Sequence, residues 1–169
     1  NILIKTIEEK ADSLKDVVKT GRTHLMDAMP LEFQQELSAW ASQLKNSKKS
    51  FHFLEKRILE MPLGGTAVGT GINAHPRFAK SFAKELSSLS GGKFKYIPSE
   101  DFFHELSAQD TAVQVSGELK NLAIILLKIS NDLRWMNSGP LAGLSEIELK
   151  ALQPGSSIMP GKVLSLIHI

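Results

Sequence analysis

Apolar residues recur at steps of three and four along most of the chain, the spacing that places side chains on one face of an α-helix. The pattern predicts helices over about 4–20, 31–60, 76–90 and 110–136. Thr20-Gly21 is expected to end the first, Pro76 to begin the third, and Ser107 with Asp110 to cap the fourth. The predicted apolar faces are Ile4, Ile7, Ala11, Leu14 and Val18; Phe33, Leu37, Trp40, Leu44, Phe51, Leu54, Ile58 and Met61; Phe78, Phe82, Leu86 and Leu89; and Val115, Leu119, Leu122, Leu126, Ile129, Leu133 and Met136.

The average step in the long helices is close to 3.5 residues, which favours near-parallel packing. The predicted fold class is therefore all-α, a bundle of long helices. The last helix carries Ile124, Ile125 and Leu127 beside its main face, so it should be covered on more than one side. Trp40 and Trp135 are assigned to the core. For the rest, at most residues 93–97 are expected to be extended.

Composition narrows the class of protein. A chain of 169 residues suits one domain, and its net charge of +2 argues against nucleic acid as a partner. The absence of Cys excludes disulfides and thiolate catalysis. No apolar run reaches the roughly 20 residues that cross a bilayer, and the start is no signal peptide. The prediction is a soluble intracellular protein without a membrane partner.

Several motifs are rejected on context. Residues 69–74 match G-x-G-x-x-A, but they follow a helix rather than a strand. Residues 155–162 resemble a phosphate loop with the wrong glycine spacing and no Ser or Thr after the lysine. The five histidines have no metal-ligand spacing, which argues against a metal site. Of these, His52 and His104 lie among phenylalanines and are expected to be partly buried structural residues.

Three loops rich in Gly, Pro, Thr or Ser lie at the ends of the long helices, over 21–30, 62–73 and 138–162. They contain GRTHLMDAMP from Gly21, GGTAVGTG from Gly64 and GSSIMPGKV from Gly155. In order and spacing these motifs resemble class II fumarate hydratase, in the fumarase/aspartase superfamily. His24 and Gly161 match fumarases, whereas aspartases typically carry Gln and Ala there. The resemblance implies the central helical domain of that fold, over residues 1–163 and incomplete at both ends.

The family's reaction is the reversible anti addition of water to fumarate to give (S)-malate, a step of the tricarboxylic acid cycle, without metal or organic cofactor. The resemblance implies that Ser156 is the catalytic base and that His24 handles the departing hydroxyl. It assigns substrate binding to Thr23, Ser157 and Lys162. Arg22 is assigned a structural role and is not counted among the site residues. Small polar loops around one lysine suit this chemistry, because a developing dianion must be stabilised by fixed positive groups.

The same resemblance implies a homotetramer whose active sites are shared between subunits, in the bacterial cytoplasm or, for a eukaryote, the mitochondrial matrix. It stops at Val163. Leu164 replaces the family's Asn, and residues 164–169 also correspond to a translated sequencing adaptor, so this tail is expected to lie outside the enzyme. Two alternatives stay open: aspartate ammonia-lyase or another lyase releasing fumarate, and a non-catalytic helical fragment that associates through bare apolar surface.

Overall fold

A computed structural model describes residues 1–151 together with Gly155, Ile158 and Lys162. Contacts divide the chain into two compact units, one of Asn1–Lys45 with the segment from Lys120 onward, the other of Asn46–Leu119. Two long helices, α2 (Phe33–Ile58) and α5 (Asp110–Met136), contribute to both units. Helices account for most of the described structure, which confirms the all-α class predicted from the apolar periodicity.

The first unit has one hydrophobic core shared by three helices. It joins α1 (Ile2–Ser13), the first part of α2 and the second part of α5. Trp40 is 2% exposed, and its indole N–H donates to Asp132 Oδ2 at 3.2 Å, so the polar atom of this buried side chain is satisfied. The core residues are Ile7, Ala11, Phe33, Leu37, Trp40, Ala41, Leu44, Ile125, Ile129 and Met136.

The first helix is shorter than predicted. It ends at Ser13 rather than at Thr20-Gly21, with Leu14 N donating back to Ala11 O at 3.0 Å. Asp16 then takes a positive φ of 67°, and Val17 O accepts from Phe33 N at 2.8 Å. Val17 and Val18 thus lie beyond the end of the helix. β-branched residues favour extended backbone, and the helical spacing of Val18 did not reveal this preference.

The buried face of α5 also differs from the prediction. Leu119 and Leu126 are exposed, whereas Ile125, which was placed beside the main face, is buried with Ile129 and Met136. Trp135, assigned to the core, is 61% exposed. An apolar helix offers several possible faces, and the neighbours α1 and α2 select one of them.

The segment predicted as a loop over 21–30 forms an antiparallel hairpin of β1 (Val18–Thr23) and β2 (Met26–Glu32). The prediction of no sheet here was wrong. The usual sequence signal for a strand is alternation between a buried and an exposed face, and most of this hairpin is exposed on both. Gly21 is its one fully buried residue, and a Cβ there would lie 2.6 Å from Met29 O.

The second unit contains α3 (Phe78–Leu89) and α4 (Phe102–Ser107), with β3 (Glu60–Met61) and β4 (Ile97–Pro98) paired in parallel. The third predicted helix is present but begins two residues after Pro76. Ser107 does not cap α5, because its hydroxyl donates backwards to Phe103 O at 2.6 Å. Of residues 93–97, only Ile97 lies in a strand.

His52 and His104, expected to be partly buried, are both exposed. The His52 side chain is 84% exposed and its Nδ1 lies 2.9 Å from Glu55 Oε2. The His104 side chain is 43% exposed, and its Nε2 lies 3.1 Å from Asp110 Oδ1. Asp110 Oδ2 also accepts from Arg57 Nη2 at 2.8 Å, so His104 belongs to a group of surface ion pairs at the start of α5.

Candidate functional site

Thr23 and His24 lie at the tip of the hairpin. Thr23 pairs with Met26 across a two-residue loop in which His24 has φ 48° and Leu25 has φ 66°. Two positive φ values define the type I′ loop that suits hairpin twist, and Asn-Gly is the dipeptide usually found there. Histidine adopts positive φ more readily than most residues, whereas a bulky residue such as Leu25 does so only with strain. The exposed tip therefore carries His24 and the strained Leu25 where Asn-Gly is usual, a departure of the kind found at functional sites.

Four charged residues of alternating sign connect β1 to α2 and to the segment after α5. Lys19 Nζ lies 2.6 Å from Glu36 Oε2 on α2 and 2.6 Å from Glu146 Oε2 beyond α5. Arg22 Nη1 lies 2.5 Å from Glu146 Oε1. We call Lys19, Arg22, Glu36 and Glu146 the charge cluster. Lys19 Nζ also lies over the Phe33 ring, 4.9 Å from its centroid, so the ammonium makes a cation–π contact besides its two ion pairs.

Burial and charge act against each other in the charge cluster. Burial raises the pKa of Glu146, but the attraction of Lys19 and Arg22 outweighs it and holds that pKa below its ordinary 4.5. For Lys19, burial lowers the pKa, yet bonds to Glu146 and Glu36 keep it above its ordinary 10.5. Both partners are thus held in their charged forms.

The charge cluster predicts a pH dependence of stability. A carboxyl with a lowered pKa contributes fully above its unfolded value and loses the contribution as pH falls through its folded pKa. A lysine with a raised pKa contributes fully below its unfolded value and loses it as pH rises through its folded pKa. The difference in free energy of unfolding between wild type and Glu146→Gln should therefore be largest between pH 4.5 and pH 10.5, and it should shrink below and above that range. Urea unfolding over a pH series measures it, and a difference independent of pH would contradict it.

The segment that carries Glu146 is hydrogen-bonded to the end of α5 and the residues just after it. Its backbone N donates to Met136 O at 2.8 Å, and Ser145 N donates to Ser138 O at 2.7 Å. Asn137 Oδ1 accepts from Leu149 N at 2.7 Å. Neither Glu146 nor Lys19 could be identified from the sequence, because 124 positions separate Arg22 from Glu146 and no local pattern joins them.

The serine loop is described only in part. Lys162 is exposed, and a Cβ on Gly155 would come within 2.9 Å of Lys162 Cα, so glycine is what lets the two ends of this loop meet. Ser156 and Ser157, the predicted base and one predicted substrate-binding residue, lie outside the described residues. The structure therefore brings together Thr23 and His24 of the predicted site residues, and places Lys162 beside Gly155.

The glycine loop of the second unit is a packing element. Gly69 N and Gly71 N both donate to Gly65 O at 3.0 Å. A Cβ on Gly64 would lie 2.6 Å from Ala79 Cβ of α3, and one on Gly65 would lie 2.8 Å from Phe102 Cβ of α4. These glycines let the loop lie directly on two helices, a reason for the motif that its spacing alone does not give.

The chain belongs to a family of lyases: the family described as Lyase matches residues 1–163. Within it, the chain is 58% identical over 161 residues to "Fumarate hydratase class II 2" of Pseudomonas aeruginosa, covering 95% of this chain and 35% of the relative. It is 49% identical over 161 residues to the Thermus thermophilus "Fumarate hydratase class II", covering 95% and 34%.

Solved structures agree with the sequence relatives. The crystal structure of class II fumarase from Schistosoma mansoni matches with a TM-score of 0.90 and 37% identity, over 95% of this chain and 36% of that one. The resemblance drawn from the three loop motifs is thereby confirmed. The chain spans about 35% of the length of the curated relatives. In the described part of the chain, no helix combines the length and apolar character needed to cross a membrane.

Proposed function

We propose that the full-length protein containing this chain is a fumarate hydratase, which adds water reversibly and in anti fashion to fumarate to give (S)-malate. The observation that carries this proposal is the 58% identity over 161 residues to a protein named fumarate hydratase. Fumarate and malate are the substrates it implies, and the tricarboxylic acid cycle is the route it would serve. The proposed reaction uses neither a metal nor an organic cofactor.

The difficult step in the malate direction is removal of a weakly acidic proton beside a carboxylate. Ser156 is the proposed base, and it needs nearby N–H groups and a cation to act as an alkoxide. Lys162 supplies that cation and, with Ser157, binds the carboxylate. Support comes from Gly155, whose missing side chain leaves room for Lys162 at the other end of the same loop.

His24 is the proposed acid for the departing hydroxyl, directly or through a water, and Thr23 binds substrate beside it. An imidazole exchanges a proton near neutral pH, which suits this role. The support is the hairpin tip: Thr23 and His24 are both exposed, and His24 occupies the first position of the turn with φ 48°. A turn with no function would be more stable with Asn-Gly at these positions.

The 169-residue chain by itself is proposed to be inactive and to associate. Large apolar side chains of α5 are exposed in it, among them Val113 at 68%, Ile124 at 54% and Leu127 at 60%. Surfaces of this kind are normally covered by other protein. In the full-length protein we propose a homotetramer with active sites shared between subunits, located in a bacterial cytoplasm or a mitochondrial matrix, with residues 164–169 outside the enzyme.

The test compares two polypeptides and two substrates. The full-length protein and the 169-residue chain are each given malate and aspartate, and formation of fumarate is followed by its ultraviolet absorbance. We expect the full-length protein to act on malate and the 169-residue chain to act on neither. Consumption of aspartate with malate untouched would replace the proposal by an ammonia-lyase. Activity of a monomeric 169-residue chain would overturn the proposed inactivity.

A further inference from the structure

The strained hairpin tip needs something to hold it. A residue in an unfavourable backbone conformation persists only when its surroundings impose that conformation. The ladder between β1 and β2 is itself irregular here, since its register shifts between Thr20 and Arg22. Pairing of two short, exposed strands is therefore a weak constraint on the tip.

Glu146 supplies the missing constraint from outside the hairpin. Both of its oxygens face cations of β1, Oε1 toward Arg22 at 2.5 Å and Oε2 toward Lys19 at 2.6 Å. The second contact is an ion pair without the alignment of a hydrogen bond. Side-chain exposure is 11% for Glu146 and 10% for Lys19, so solvent screens this pairing much less than it screens a surface ion pair.

The other end of this connection is fixed to the core. The Glu146 backbone is bonded to Met136, which is 4% exposed and belongs to the hydrophobic core of the first unit. Arg22 in turn directly precedes Thr23 and His24. A continuous path of hydrogen bonds and ion pairs thus runs from Met136 through Glu146 to Arg22, the residue next to the tip.

We infer that Glu146 is a positioning residue that fixes the Thr23–His24 tip through Arg22 and Lys19. This inference rests on the proposed function for its kinetic consequence. The path reaches further: nine residues after Glu146 the chain arrives at Gly155, where the serine loop begins. Glu146 therefore fixes the hairpin to the same segment that leads into the second group of proposed site residues.

The experiment uses Glu146→Gln in the full-length protein, with Glu148→Gln as the matched control. Glu148 lies on the same segment and is exposed, with no ion-pair partner in the part of the chain that the structure describes. We expect Glu146→Gln to increase amide hydrogen exchange at least about tenfold across 18–32, with little change in α1 and α3. We expect it to lower kcat by about 10- to 100-fold, the loss typical of a misplaced catalytic group. Glu148→Gln should change neither.

A merely structural role is separated by repeating the substitution in the His24→Asn background. If Glu146 acts through the tip, adding Glu146→Gln to the His24→Asn variant should lower kcat by less than about threefold, because the imidazole that Glu146 positions is already absent. The same loss in both backgrounds would overturn the inference, as would unchanged exchange across 18–32. If Glu146→Gln fails to fold, Glu146→Asp is used, which keeps the charge and withdraws it by one methylene; its exchange increase should again be confined to 18–32, and a uniform increase would overturn the inference.

The two proposals fail in different ways. Wild-type protein without activity on malate refutes the proposed function and leaves hydrogen exchange as an independent test of positioning. Wild-type protein that is active, with Glu146→Gln equal to it in exchange and in kcat, refutes the positioning role alone.

Discussion

Replacing His24 with Asn in the full-length protein is expected to lower kcat for malate dehydration by about 10²- to 10⁴-fold, the contribution typical of a positioned acid or base. Asn is the best substitute for this test because it tolerates positive φ and is common in type I′ turns. The imidazole is therefore removed while the turn at φ 48° is kept. Steady-state rates with malate and fumarate measure the effect.

The matched control is Leu25→Asn, the same substitution at the other residue of the same turn. Leu25 has φ 66° and is 83% exposed, so Asn should relieve strain there without removing a chemical group. We expect its kcat to stay within about threefold of wild type, since no proposed role falls on this side chain. If both variants lose activity equally, the turn and not the imidazole is what the reaction requires. If His24→Asn retains its kcat, the acid role is wrong.

Replacing Gly64 with Ala is expected to destabilise the protein by about 2–5 kcal/mol. Two independent penalties combine at this position. The backbone has φ +121°, which residues with a Cβ rarely adopt, and the new methyl would lie 2.6 Å from Ala79 Cβ. Because Ala79 Cβ is fixed to the α3 backbone, it cannot rotate away. Urea unfolding followed by circular dichroism gives the change in free energy.

Gly91→Ala is the control for a positive-φ glycine with open space around it. Gly91 also has a positive φ, +67°, but a Cβ there meets nothing within 4 Å. Its substitution should cost only about 1 kcal/mol, the backbone penalty alone. The double variant Gly64→Ala/Ala79→Gly should recover part of the lost stability, because it removes the methyl group that the new alanine side chain would meet. Equal destabilisation by Gly64→Ala and Gly91→Ala would contradict the packing role of the glycine loop.

Much of the helical structure could be predicted from local sequence. The helix predicted over 31–60 is α2 at Phe33–Ile58, and the one predicted to begin at Asp110 and end at Met136 is α5. Both predictions succeed because a helix satisfies its hydrogen bonds within itself, so its apolar spacing is a local signal. The short first helix shows the limit, since Val18 fits the helical spacing and yet pairs with Glu32 in the hairpin.

The candidate site divides along the same line. The sequence by itself determined the α-helical class and the family, because periodicity and motifs lie in neighbouring positions. Through the family it predicted Thr23, His24, Ser156, Ser157 and Lys162 as site residues. Only the tertiary structure decided that His24 lies on a strained hairpin turn, which face of α5 is buried, and that Arg22 meets Glu146 across 124 positions. Strand pairing, face selection and ion pairs between distant segments depend on which parts of the chain meet in space, and no local pattern records that.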